Sequence, residues 1–101
     1  MSEAKRAVPT IAIDNERVRV TRWQFAPAAE TGFHVHQWDY VVVPLADGRL
    51  KIIAPDGAES FADLQHGVPY FRGAGVHHNV ISANDGDFAF IEIELKGRGN
   101  P

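Results

Sequence analysis

The chain has 101 residues and a hydrophobic fraction of 45%, which suits one compact domain and leaves too little for a second. It contains no cysteine, so disulfides, thiolate metal sites and cysteine nucleophiles are excluded. Thirteen acidic against ten basic side chains give a net charge of −3 without a basic stripe, which argues against nucleic acid, and no segment approaches the ~20 apolar residues of a membrane helix. The first ten residues carry Lys5 and Arg6 with no apolar run behind them, so no secretory signal is expected and a cytoplasmic setting is the default.

Apolar residues recur with period two, in short runs broken by turn signals, which predicts an all-β chain. The first predicted strand is Val18 to Phe25, closed by a loop containing Pro27 and Gly32. His34 to Val43 reads as one long strand rich in Val, Trp and Tyr, ended by Pro44 and by Asp47-Gly48, a pair suited to joining antiparallel strands. Leu50 to Ile53 and Ser60 to Leu64 follow, joined by a turn at Asp56-Gly57; His66-Gly67 turns the chain into a short strand at Pro69 to Phe71. The loop Gly73-Ala74-Gly75 leads into His78 to Ser82, and Asn84-Asp85-Gly86 turns into a last strand, Asp87 to Leu95. Seven or eight short strands at regular spacing point to a sandwich or barrel, with its core over about 18–95 of a single domain spanning 1–101. The tail from Gly97 to Pro101 is expected to fray.

The histidines carry the chemistry. Residues two apart on a strand share a face, so His34 and His36 project side by side and are able to share one ion, while His78 opens a later strand after a glycine loop. Neutral imidazole suits iron, manganese, nickel or zinc. His77 alternates away from His78, His66 lies in a turn and Gln37 alternates outward, so none of these is expected to ligate.

Two segments resemble the motifs of the cupins, a family of small β-barrels. Thr31-Gly-Phe-His-Val-His-Gln-Trp-Asp-Tyr-Val-Val-Val-Pro-Leu-Ala-Asp-Gly48 is similar to the first motif, and Gly67-Val-Pro-Tyr-Phe-Arg-Gly-Ala-Gly-Val-His-His-Asn-Val-Ile-Ser82 to the second. The resemblance implies a double-stranded β-helix, or jelly-roll, barrel of bacterial type, and one divalent transition metal held by His34, His36 and His78. Ala28, Gly73 and Ser82 replace the motifs' glycine, proline and asparagine at turn and packing positions. The motif's glutamate is missing, because Tyr40 and Val41 occupy its place. Asp39 stands one residue early and reaches the site only if a bulge rotates the strand. Tyr40 has the right parity, but a phenol of pKa ~10 is expected to hydrogen-bond a bound water or substrate, as a catalytic candidate, rather than to ligate. Three histidines plus water leave positions open to a substrate.

By the same parity Trp38 and Val42 are expected to line the pocket beside His36, and Val80 and Ser82 beside His78. In the last strand Ala89, Ile91, Ile93 and Leu95 share one face and Phe88, Phe90, Glu92 and Glu94 the other. Two inward charges without partners would be costly, so the aliphatic face is expected inside and both glutamates in solvent; were the Phe/Glu face inside, Glu92 would become a candidate general base or substitute carboxylate. Trp23 and Phe25, with Phe88 or Phe90, would then form an apolar surface for a homodimer, as cupins commonly do. Arg22 and Arg72 are the cations nearest the pocket in sequence, able to hold a carboxylate if they face it. The resemblance implies a metalloenzyme, of oxygenase or isomerase type, acting on a small carboxylate or oxygen-rich substrate. The stretch from Trp38 to Pro44 is also similar to small bacterial cupins of β-alanine or related small-acid catabolism. The alternative is a non-catalytic module in which the pocket holds a small molecule and the metal is structural.

Overall fold

The computed structural model describes residues 5–97. Among them nine strands form and no helix does: β1 Val8–Asp14, β2 Val18–Phe25, β3 His34–Val35, β4 Asp39–Pro44, β5 Gly48–Ile53, β6 Glu59–Leu64, β7 Tyr70–Arg72, β8 His77–Ser82 and β9 Phe88–Leu95. They make two antiparallel sheets, ordered β1-β2-β9-β4-β7 and β3-β8-β5-β6, which face each other as a jelly-roll barrel.

Three features differ from the sequence expectation. Val8–Asp14 is a strand, paired with β2 at the sheet edge. All seven of its residues are exposed, so it lacks the alternation by which half-buried strands are recognised. The expected single strand from His34 to Val43 is two: β3 pairs with β8 in one sheet and β4 with β7 and β9 in the other, the chain crossing between sheets over 36–38. Asp47-Gly48 likewise carries the chain across, from β4 to β5, whereas Asp56-Gly57 closes a true hairpin between β5 and β6.

The third difference concerns the face of β9. Phe88, Phe90 and Glu92 point into the barrel and are buried, with Phe25, Thr21, Val42 and Tyr40 beside them. Ile91 and Ile93 lie on the outer face, opposite Val43 and Val41 on β4, with Val20 on β2 also paired to Ile93. Phe25, Phe88 and Phe90 are therefore core, not a subunit surface. The inward glutamate is tolerated because it need not be charged: burial and the neighbouring Glu94 raise its pKa to about 7, and the Trp23 indole N–H bonds it.

The loop after β2 contains an unusual residue. Ala29 N–H donates to the Ala26 carbonyl (2.9 Å) across Pro27 and Ala28, and Ala28 has φ of 66°, as the third position of a type II turn requires. A Cβ in the left-handed region costs about 1–2 kcal/mol, which glycine avoids at a smaller entropic cost of about 0.5–1 kcal/mol. Ala28→Gly is expected to raise stability by about 0.5–1 kcal/mol, read as a higher urea midpoint at unchanged slope. A lower midpoint would show that the methyl packs better than the turn is strained.

Candidate metal centre

The histidines converge because the chain crosses from one sheet to the other beside the β3–β8 pair. His34 on β3 is directly opposite His78 on β8, so their side chains share a face, and His36 follows in the crossover. His36 is fixed by two backbone bonds to the glycine loop: its N–H donates to the Val76 carbonyl (2.9 Å) and its carbonyl accepts from the Gly75 N–H (2.8 Å). Its ring stacks on Tyr40, with centroids 3.9 Å apart and planes at 17°. The His36 Nε2 atom lies 3.0 Å from Nε2 of His34 and 3.3 Å from Nε2 of His78.

Those separations suit a shared ion. Two donors bound at about 2.1 Å stand about 3.0 Å apart when at right angles and about 3.4 Å apart at the tetrahedral angle. The tautomer also fits: His34 Nδ1 lies 2.8 Å from the Gly32 carbonyl, an acceptor, so the proton belongs on Nδ1 and the lone pair on Nε2. Gly32 is held in turn by Asn79, whose Oδ1 accepts from the Gly32 N–H (2.9 Å) while its Nδ2 donates to Glu30 (2.9 Å). Asn79 is buried and follows His78 directly, so one strand supplies a candidate ligand and the support of another. Sequence reading passed over Asn79; its signal was an amide beside a candidate ligand on a strand.

Burial sets the charges. His36 is held down to about 4, first by desolvation and then by His34 and His78, and His78 also to about 4, by desolvation, His34, Arg72 and His77. Both imidazoles are neutral at pH 7 and keep lone pairs. The contact of 4.0 Å between His36 Nε2 and Glu92 Oε2 is thus not an ion pair at pH 7. Tyr40 is pushed up, by burial and then by Glu92, so its phenol keeps its proton.

These shifts act on stability in opposite senses. Histidines lowered from 6.5 to about 4 contribute stability above pH 6.5 that is lost as pH falls toward 4. Glu92, raised from 4.5 to about 7, contributes stability below pH 4.5 that is lost as pH rises through 7. For chelator-treated protein, Glu92→Gln should remove a loss of stability between pH 4.5 and 7 and leave the acid-side loss in place. Denaturation midpoints at pH 5, 6 and 8 check this; parallel wild-type and variant curves would refute it.

The triad opens on a cavity of about 300 Å³ lined by Tyr40, Val42, Leu50, Ile52, Tyr70, Arg72, Val80, Phe90 and Glu92 among others. Of the expected pocket residues, Val42 and Val80 line it together with Tyr40. Trp38 does not: the strand breaks before it, so alternation from His36 is lost, and its ring lies under Arg19 and Lys96, each 5.5 Å from the ring centroid. Ser82 is buried away from the cavity, where its hydroxyl accepts from Asn84 Nδ2 (2.9 Å). Asp39 is exposed, and its Oδ1 accepts from the Ala74 N–H (2.8 Å), so it ties down the glycine loop instead of approaching the histidines. His77 and His66 are exposed. Arg72 reaches the cavity because it pairs with Tyr40 and shares its inward face, whereas Arg22 pairs with Ile91 on the outer face.

No family model matches the chain. The β-alanine degradation protein BauB of Pseudomonas aeruginosa is 53% identical to it over 96 residues, covering 95% of this chain and all of that one. The crystal structure of a cupin domain from Bordetella pertussis Tohama I superposes with a TM-score of 0.91 at 48% identity, covering 96% of this chain and all of that one. The chain is a cupin. A cupin superfamily protein from Desulfitobacterium hafniense has the same fold at 16% identity, with a TM-score of 0.71 over 96% of this cupin and 84% of its own length. In this cupin the donor set His34, His36 and His78 is imidazole only, and a second group of donors, His36 with Glu92 and Glu94, adjoins it. Glu92 lines the cavity: the inward face of β9 is the one that alternation with Phe88 and Phe90 marks, the alternative to the solvent-facing glutamate favoured from the sequence.

Proposed function

We propose that this cupin binds one divalent transition metal, iron, manganese, nickel or zinc, through His34, His36 and His78. On this reading it is a metalloenzyme acting on a small carboxylate in the degradation of β-alanine or a related small acid. The observation that carries the reading is the convergence of three imidazole Nε2 atoms, two of them on groups held neutral, at the wall of a cavity. The similarity to a β-alanine degradation protein across nearly the whole chain supports the pathway.

The metal would supply Lewis acidity or oxygen activation. The chain's own residues do the rest. Arg72, whose guanidinium lies 4.6 Å from the Tyr70 ring centroid, is the cation of the cavity wall and would take the substrate carboxylate. Tyr40, kept protonated, would donate a hydrogen bond to a substrate oxygen. Val42, Leu50, Ile52, Val80 and Phe90 exclude water, and the volume lies at the low end of the ~300–1,000 Å³ of small-molecule sites. Turnover of a panel of three- to five-carbon keto, hydroxy and amino acids by metal-loaded protein tests this, with Arg72→Leu expected to raise KM more than it lowers kcat. Metal binding with no turnover across the panel would favour the non-catalytic module.

The homodimer belongs to the same proposal, on a different surface from the aromatic one. Val18, Val20, Val41, Val43, Ile91 and Ile93 form a half-buried apolar face on the outside of the five-stranded sheet, continued by exposed Phe71 opposite Val41. Monomeric proteins seldom leave such a face uncovered, and a second copy would bury it. Light scattering should give twice the chain mass; the monomer mass at micromolar concentration would rule the dimer out.

A further inference from the structure

The first motif of this cupin lacks its carboxylate, and Asp39 does not replace it. A carboxylate reaches the centre from elsewhere. Glu92 on β9 lies next to β4 in the same sheet, directly opposite Val42. It is 8% exposed, and its Oε2 stands 4.0 Å from His36 Nε2. We propose that Glu92 is the carboxylate ligand of the metal centre, supplied by the neighbouring strand in place of the first-motif glutamate. The inference rests on the three histidines binding the metal.

Three observations carry it. First, Glu92 Oε2 stands 4.0 Å from His36 Nε2, within the ~3.0–4.2 Å that separates two donors held at about 2.1 Å by one ion, although it does not yet group with His34 and His78. Second, Trp23 Nε1–H donates to Glu92 Oε1 (3.3 Å), which occupies one oxygen and leaves Oε2 on the His36 side; metal-binding carboxylates are oriented by such outer bonds. Third, no Lys or Arg among the described residues forms a salt bridge with this buried carboxylate, so the site offers it a proton or a metal as its counter-charge. Glu92 groups with His36 and Glu94 rather than with all three imidazoles, so ligation calls for rotation about its side-chain torsions, and the cavity alongside leaves room for it. Glu94, two residues on, is less buried and is not part of that cavity wall, but it lines an adjoining pocket with His34, His36 and Glu92.

Cobalt(II) is the probe, because its visible absorption reports the ligand set. Chelator-treated wild type, Glu92→Gln and, at an exposed carboxylate between β1 and β2, Glu16→Gln would each be titrated with Co(II), following both spectrum and affinity, with circular dichroism confirming the fold. Glutamine keeps the shape and the Trp23 bond. Glu92→Gln is expected to weaken Co(II) binding ~10-fold or more and to alter the absorption bands, while Glu16→Gln keeps both within about twofold of wild type. An unchanged spectrum and affinity in Glu92→Gln, with wild type binding normally, would overturn the role of Glu92 and leave the histidines as ligands. Failure of wild type itself to bind Co(II), Fe(II), Mn(II), Ni(II) or Zn(II) would overturn the histidine site and this inference together.

Discussion

Replacing His34 by alanine is expected to abolish stoichiometric metal binding by this cupin while leaving it folded. His34 is only partly buried, sits on a strand of only two residues, and contributes nothing to the aromatic core, so its loss should cost little stability. The metal, by contrast, would lose one of three imidazole donors. Removing a group that merely orients a ligand costs about 10–100-fold in affinity, so deleting a ligand should cost more than ~100-fold. Elemental analysis after desalting, with calorimetric titration of zinc or manganese, gives the answer. Equal metal content in wild type and His34→Ala would mean that the ion binds elsewhere. Protonation gives a second handle. Binding should weaken as pH falls toward 4, where His36 and His78 begin to take up protons, because a protonated imidazole has no lone pair to offer.

The largest loss of stability is expected at Phe25. It is 1% exposed, with the rings of Phe90, Trp23 and Phe88 at 5.4, 6.4 and 6.5 Å from its own. Truncating a buried phenylalanine to alanine costs about 3–5 kcal/mol, of which part is the cavity left behind. A domain of this size has a total of about 5–15 kcal/mol to lose, and each kcal/mol moves its midpoint by about 4–8 °C. Phe25→Ala should therefore melt at least ~12 °C below wild type in calorimetry. A loss under about 1 kcal/mol would mean that the Phe88, Phe90 and Glu92 face of β9 is not the inner one, and would withdraw Glu92 from the site as well.

How much of this was legible beforehand can be followed along β9 and the first motif. The convergence of His34 and His36, two apart, with His78 after its glycine loop needed only strand periodicity and motif spacing, since a candidate donor set written into short-range pattern survives an error in sheet assignment. Trp38 was misplaced by the same periodicity, because alternation holds only while a strand continues and the chain changes sheets at 36–38. Glu92 was misplaced by a desolvation argument that assumed a charged carboxylate; in the fold its pKa of about 7 and the Trp23 bond remove the premise.

The absence of cysteine, the period-two strands and the three histidines were thus determined by the sequence itself, because they depend on residue type and on neighbours two positions away. Which sheet each strand joins, which face of β9 turns inward, and that a carboxylate from the last strand stands beside His36 were decided only by the tertiary structure. A two-residue period marks two faces without saying which is inside. Only the closure of two sheets around one core, with the outer aliphatic face left for another surface, breaks that symmetry.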